Sequence, residues 1–108
     1  MAPAELEGIL LGHSEVADAC VVAAHDRGRE TEVPRAYVVL KAGVARTEAK
    51  AAEVVAWLDA RVAQHKRLRG GVRFVDEVPK NASGKLLRRV LRDRARREDK
   101  EEAAAAKL

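Results

Sequence analysis

The residues with the clearest chemical character lie in the segment VDEVPKNASGKLLRR, residues 75–89. Pro79 stiffens this segment, Gly84 loosens it, and the residues after Lys85 have the apolar spacing of a helix. We therefore expect Lys85 at the start of that helix, where unpaired backbone N–H groups already form a positive end. A lysine at such an end favours binding of an anion such as a phosphate. The alternative is that Lys85 only begins a solvated basic face.

The dipeptide Gly84-Lys85 also matches part of a nucleotide-binding P-loop, but the rest of that motif is missing. The P-loop needs a glycine five positions before Gly84, and this chain has Pro79 there. It also needs a hydroxyl side chain for magnesium directly after the lysine, and this chain has Leu86. The sequence therefore does not predict a P-loop.

Positive charge is concentrated in residues 85–97, which contain seven basic side chains and one acidic one, Asp93. The whole chain has a net charge of only +4, so the remainder is slightly acidic. Such an asymmetry is typical of a nucleic-acid-binding face or of a solvated helix exterior, and both interpretations stay open. A module that binds nucleic acid through a helix over 85–97 is less favoured, because the chain is only 3% aromatic and carries no recognised nucleic-acid motif.

The histidines and the single cysteine favour structural roles. His13, His25 and His65 fall on different predicted elements without the spacing of metal ligands, so no metal site is expected. Trp57 lies at helical spacing and is expected to pack. Cys20 lies in a valine-rich run and is expected to be a small buried hydrophobe rather than a nucleophile. One cysteine cannot form an internal disulfide, which favours a reducing compartment.

The chain has 108 residues, which is the length of one domain, and it is 47% hydrophobic. No apolar run approaches the roughly 20 residues that span a bilayer, and no charged-then-apolar leader opens the chain. We therefore expect no membrane span and a location inside the cell.

The elements that must position Lys85 follow from hydrophobic periodicity. The predicted elements are a helix over 3–11, strands over 16–24 and 34–41, a helix that Thr47 caps and that ends near His65, a short strand over 72–75, and a last helix after the Lys85 loop. This order predicts an α+β domain in which a small three-stranded sheet is covered by helices. The charged loop over 25–33 should lie at the surface. Residues 98–108 have little to pack and are expected to fray as a flexible tail, which leaves residues 1–97 as a single domain.

The segment PKNASGKLLRR resembles the last core motif of the adenylate-forming acyl-CoA synthetases, the superfamily of 4-coumarate–CoA ligases, fatty acyl-CoA synthetases and firefly luciferase. PAELEGILLGHSEVADACVV is similar to the family's first helix and strand, with Ser14 in place of the usual proline. EVPRAYVVLKAG resembles the second strand, with Thr31 where a glycine is common, and HKRLRGGVRFVDEVPK resembles the run into the catalytic loop. The resemblance covers residues 3 to about 95.

The resemblance implies the small C-terminal lid domain of such an enzyme, which swings in two orientations over a large N-terminal adenylation domain. It implies that Lys85 is the catalytic lysine, which reaches the α-phosphate and the substrate carboxylate during adenylation and is then withdrawn. Pro79, Lys80, Ser83 and Gly84 would position its loop. ATP with Mg²⁺ and CoA would be substrates bound mainly by the N-terminal domain, and the 108 residues alone are expected to be inactive, since the hinge, the phosphate loop and the acid pocket are absent from them.

The resemblance also suggests where CoA would meet this domain. Lys66, Arg67 and Arg69 would contact the CoA phosphates in the second orientation; the alternative is a solvated helix end.

The last three residues, Ala106-Lys107-Leu108, are a conservative variant of the Ser-Lys-Leu terminus that a peroxisomal import receptor recognises. Several relatives in this superfamily are peroxisomal, so a peroxisomal address is one expectation. The alternative is an alanine-rich end in a cytoplasmic protein.

Overall fold

The computed structural model of the protein describes residues 3–26 and 31–106. Its elements are α1 (Pro3–Leu10), β1 (Val16–Asp26), β2 (Thr31–Leu40), α2 (Glu48–Asp59), a 3₁₀ helix (Gln64–Lys66), β3 (Val72–Phe74) and α3 (Arg88–Ala106). This confirms the predicted α+β class and the small three-stranded sheet. In the part of the chain that the structure describes, no helix is long and apolar enough to cross a membrane.

The direction of the three strands determines which loops lie at which end of the sheet. The strand order is β1-β2-β3. β1 and β2 pair antiparallel along almost their whole length, whereas β3 pairs parallel with residues 36–38 of β2. The chain therefore leaves β3 at the end of the sheet where β1 begins, and it enters β3 at the opposite end.

Both faces of the sheet are buried, which explains why the strand sequences are continuous apolar runs rather than alternating ones. One face packs against α1 and α2; its members include Leu6, Leu10, Ala19, Val21, Ala36, Val38, Val54 and Leu58. The other face packs against α3; its members include Cys20, Val22, Tyr37, Leu91 and Ala95. Successive residues of each strand point to opposite faces, so each strand contributes to both clusters.

The helix after Thr47 is shorter than predicted. The hydroxyl of Thr47 accepts a hydrogen bond from the backbone N–H of Lys50 at 3.0 Å, which confirms the N-cap. The helix ends at Asp59 and not near His65. Its end is fixed by the returning chain, because the Asp59 carboxylate accepts the backbone N–H of Leu68 at 2.9 Å.

The first two strands are longer than predicted and extend into the charged loop expected over residues 25–33. His25 pairs with Glu32, and Asp26 pairs with Thr31. Backbone pairing therefore outweighs the polarity of these side chains, which stay largely at the surface. Residues 27–30, which would complete this connection, lie outside the described residues.

The last helix continues through the segment predicted to be a flexible tail. α3 has no break at residue 97 and runs to Ala106. Its later turns do contact the rest of the domain, since Glu102 accepts a hydrogen bond from Arg73 at 2.7 Å. Up to Ala106, the structure therefore differs from the expectation that residues 98–108 have little to pack and form a flexible tail.

A buried polar network joins the sheet to this part of α3. The guanidinium of Arg35, whose side chain is only 5% exposed, donates to the Asp99 carboxylate at 2.9 Å and to the carbonyl of Gly70 at 2.8 Å. Beside it, the hydroxyl of Tyr37 donates to the Glu98 carboxylate. A buried charge needs such partners, so Glu98 and Asp99 fix the last turns of α3 on the sheet.

The single tyrosine allows the contact with Glu98 to be tested directly. Burial, together with the hydrogen bond to Glu98 and its negative charge, raises the pKa of Tyr37 to about 12. Because the pKa is higher in the folded state, Tyr37 contributes stability that is complete below its ordinary value of 10.0 and is lost as the pH rises towards 12. Phenolate absorbance of the native protein should therefore titrate near pH 12, and Glu98→Gln should lower the midpoint. Native titration at the ordinary tyrosine pKa would contradict this network.

Candidate active-site loop

The loop between β3 and α3 closes on itself in a compact turn of residues 80–86, which we call the Lys85 turn. Lys80 and Leu86 form an isolated antiparallel bridge. The N–H of Asn81 donates to the carbonyl of Lys85, and the N–H of Gly84 donates to the carbonyl of Asn81, both at 2.9 Å. Gly84 has a φ of 82°, which glycine adopts without strain. The turn is therefore held by its own backbone.

Lys85 lies in this turn and not at the start of a helix. α3 begins at Arg88, and the preceding N–H of Leu87 donates to the carbonyl of Pro79 at 2.9 Å. The prediction of a helix N-terminal lysine is wrong, because the backbone of Lys85 is used by Asn81 in the turn. The Lys85 side chain is exposed, and none of the residues in 3–26 or 31–106 pairs with its ammonium group. It can therefore approach an anion without leaving an ion-pair partner among the described residues.

Two ion pairs connect the loop to its surroundings. The ammonium of Lys80 lies 2.5 Å from the carboxylate of Asp18 in β1, whose other oxygen accepts the N–H of Ala19. Before the turn, Asp76 accepts a hydrogen bond at 2.6 Å from Arg46, which lies between β2 and α2. An open cleft of about 570 Å³ lies beside these pairs and is lined by Asp18, Val39, Asp76, Glu77, Val78, Pro79 and Lys80. Of the predicted loop-positioning residues, Lys80 makes the ion pair with Asp18, and Pro79, Ser83 and Gly84 shape the turn; their roles in catalysis stay predictions.

The residues predicted to contact CoA lie at the other end of the sheet. Lys66 belongs to the 3₁₀ helix and forms an ion pair with Glu5 at 2.8 Å, whereas Arg67 is exposed. The chain then enters β3 beside the start of β2, where Arg69 lines an open cleft of about 520 Å³. Because the Lys85 turn follows the opposite end of β3, the structure does not bring these two groups of residues together.

The matched region of the chain identifies its family. Residues 5–85, which include most of α1, the whole sheet and Lys85, match the family model described as the AMP-binding enzyme C-terminal domain. The chain belongs to this family.

Several curated relatives of this AMP-binding C-terminal domain have the names of acyl-CoA synthetases or CoA ligases. It is 55% identical to a putative acyl-coenzyme A synthetase of Emericella nidulans, over 89% of this chain and 17% of that protein. It is 48% identical to a phenylacetyl-CoA ligase of Aspergillus niger, over 87% of this chain and 17% of that protein. The chain thus spans about 17% of the length of these two relatives.

Solved structures of an acyl-CoA synthetase and a CoA ligase contain a region with the same fold as this chain. An acyl-CoA synthetase from Brucella canis superposes with a TM-score of 0.82 at 32% identity and covers 92% of this chain and 18% of the other. A benzoate CoA ligase from Burkholderia xenovorans superposes with a TM-score of 0.77 at 40% identity and covers 85% of this chain and 18% of the other.

In this AMP-binding C-terminal domain, some of the basic side chains of residues 85–97 are paired with acidic side chains. Three arginines of α3 have acidic neighbours: Arg88 pairs with the buried Glu7, Arg94 lies 3.5 Å from Glu98, and Arg96 lies 3.9 Å from Asp93. Within the described ranges, Arg89, Arg92 and Arg97 have no ion pair. Arg88 therefore joins α3 to α1, whereas the other two pairs lie within α3.

The fold places His13 among acidic groups. Its Nε2 lies 3.1 Å from the Glu53 carboxylate, and its Nδ1 accepts the N–H of Glu15 at 3.0 Å. The ligand atoms of these three side chains lie within 4.8 Å of one another, which the sequence did not indicate. Lys50 already pairs with both carboxylates, at 2.5 Å from Glu15 and 3.4 Å from Glu53. The ring also packs edge-on against Trp57, which favours a structural link to α2.

Cys20 is buried between the sheet and α3, which confirms that it packs as a small hydrophobe. Burial, followed by the negative charge of Glu7, raises the pKa of its thiol to about 12. The thiolate, which is the nucleophilic form, is therefore scarce at neutral pH.

The C-terminal tripeptide lies largely outside the described residues. Ala106 ends α3 and is exposed, and Lys107 and Leu108 are not described. The peroxisomal address stays a prediction.

Proposed function

We propose that this chain is the mobile C-terminal domain of an acyl- or aryl-CoA ligase and that it supplies Lys85 for ATP-dependent adenylation of a carboxylic acid. The observation that carries the proposal is the exposed ammonium of Lys85, which has no ion-pair partner in the described part of the chain and lies on a turn whose backbone is fixed from both sides. The names of the relatives, which include phenylacetyl-CoA and 4-coumarate–CoA ligases, support the reaction class.

The role of Lys85 follows from the charges in the first half-reaction. The substrate carboxylate attacks the α-phosphorus of ATP, a new O–P bond forms, and the bond to pyrophosphate breaks. Two anionic groups must approach each other, so negative charge accumulates between them in the transition state. A positioned ammonium offsets that charge and lowers the barrier. MgATP and the acid are substrates held mainly by a large N-terminal domain.

Lys66, Arg67 and Arg69 lie at the end of the sheet opposite the Lys85 turn. This position supports a separate role for them in binding CoA. After pyrophosphate leaves, the domain would rotate, withdraw Lys85 and turn that end towards CoA. Arg67 and Arg69 would then meet the CoA phosphates, and Lys66 would join them by exchanging Glu5 for a phosphate. The CoA thiol attacks the acyl carbon and AMP leaves.

The competing proposal is a nucleic-acid-binding module that uses the basic residues of α3. It is less supported, because three of the six arginines over 88–97 have acidic neighbours and the acidic residues of 98–102 follow directly. Binding of DNA or RNA that weakens steeply with salt would favour the nucleic-acid module.

The proposed function is tested by fusing this chain to the Burkholderia xenovorans benzoate CoA ligase in place of its own C-terminal domain. We call this protein the fused ligase. It should form benzoyl-CoA, whereas the 108-residue chain alone should show no ATP–pyrophosphate exchange with benzoate. The ligase with its own domain rejoined at the same junction controls for damage by the junction. Exchange by the isolated chain, or inactivity of the fused ligase beside an active control, would contradict the proposal.

A further inference from the structure

The side chain of Asn81 is hydrogen-bonded to the backbone of Lys85. Its side-chain oxygen Oδ1 accepts the backbone N–H of Lys85 at 2.9 Å. The same oxygen accepts the N–H of Ser83 at 3.0 Å and the hydroxyl of Ser83 at 2.8 Å. One oxygen atom therefore collects three donors from the turn.

The backbone of Asn81 is also hydrogen-bonded to Lys85, at its carbonyl group. Its N–H donates to the carbonyl of Lys85 at 2.9 Å, so Asn81 fixes both backbone polar groups of Lys85. Gly84, with its positive φ, lets the chain return to Asn81 for these bonds. The direction in which the Lys85 side chain leaves the turn thus depends on Asn81.

We infer that Asn81 is a positioning residue that orients Lys85 for adenylation by fixing its backbone. The inference rests on the proposed function of Lys85 and adds a residue that does not itself touch the substrate. Asparagine suits this position because its short side chain bonds its own backbone two and four residues further on, at no cost in charge. An aspartate would keep the acceptor, and an alanine would remove it.

The geometric part of the inference is tested on the 108-residue chain without any activity. In Asn81→Ala, the Lys85 amide should exchange with solvent faster by roughly fivefold, the factor that corresponds to one neutral hydrogen bond. Asn81→Asp should keep the exchange slow. Ser83→Ala removes only the hydroxyl donor and should leave the Lys85 amide unchanged. An unchanged exchange rate in Asn81→Ala, measured by NMR on a folded chain, would overturn the inference.

The catalytic part is tested in the fused ligase by measuring each half-reaction separately. Asn81→Ala should slow acyl-adenylate formation by about tenfold, because a misplaced group loses much of its effect, and should leave thioester formation unchanged. In a Lys85→Ala background it should have no further effect, since Asn81 acts through Lys85. Equal slowing of both half-reactions, or the same tenfold loss without Lys85, would overturn the inference and make Asn81 merely structural.

The outcomes separate this inference from the proposed function. If Lys85→Ala slows adenylation and Asn81→Ala does not, only the positioning role of Asn81 is wrong. If Lys85→Ala leaves adenylation intact, the proposed function fails, and the inference about Asn81 fails with it.

Discussion

Replacing Lys85 with alanine in the fused ligase is expected to slow acyl-adenylate formation on the order of 10² or more, the scale of losing one strong electrostatic stabiliser. The loss should appear in pyrophosphate release during a single turnover. The side chain is exposed and unpaired within the described part of the chain, so its removal should not unfold the domain.

Lys80→Ala is the matched control for this prediction. Lys80 lies in the same turn and has the same charge, but its ammonium is engaged by Asp18 and both side chains are partly exposed. Such an ion pair contributes little to stability, so Lys80→Ala should slow adenylation far less than Lys85→Ala. Equal losses would show that the charge of the turn matters and that no particular lysine is catalytic.

Removing residues 98–108 is expected to lower the free energy of unfolding by about 3 kcal/mol, the scale of breaking a buried ion pair from one side. The truncation leaves the guanidinium of Arg35, which is 5% exposed, without Asp99 and Glu98. Denaturant unfolding of the truncated chain, monitored through Trp57, measures the loss.

A shorter truncation that removes only residues 104–108 is the control. It keeps Glu98, Asp99 and Glu102, whose carboxylates contact the sheet, and should be as stable as the full chain. If the long truncation does not fold, Asp99→Ala removes the closest partner of Arg35 and should also destabilise the domain. Equal stability of the long truncation and the full chain would show that residues 98–108 are a tail, as their composition alone indicates.

Most of the helices and strands were predictable because they depend on sequence patterns that are local or periodic. The apolar runs around Cys20 and Tyr37 are buried on both sides, and Thr47 caps its helix as its residue type indicates. The length of α3 was not predictable in this way. Arg35 within an apolar strand indicates that a partner exists, but the composition of residues 98–102 does not say which carboxylate lies opposite it.

Lys85 was predictable as the candidate residue, but the conformation of the turn that holds it was not. The resemblance of the loop motif indicated Lys85, while the position outside α3 depends on hydrogen bonds around Asn81 that helix propensity does not describe. The asparagine two residues before Ser83 was the available signal, since asparagine favours such turns. Asp18 and Arg46 were missed because their partners, Lys80 and Asp76, lie far away in the sequence.

Lys85 is proposed to act in adenylation and to be withdrawn before CoA reacts, so the thioester step of a Lys85 variant distinguishes this role from a structural one. The measurement supplies preformed benzoyl-adenylate and CoA to the fused ligase with Lys85→Ala and times thioester formation. This rate should be unchanged, while adenylation by the same variant should be slowed on the order of 10². A thioester step slowed as much as adenylation would instead assign Lys85 a structural role.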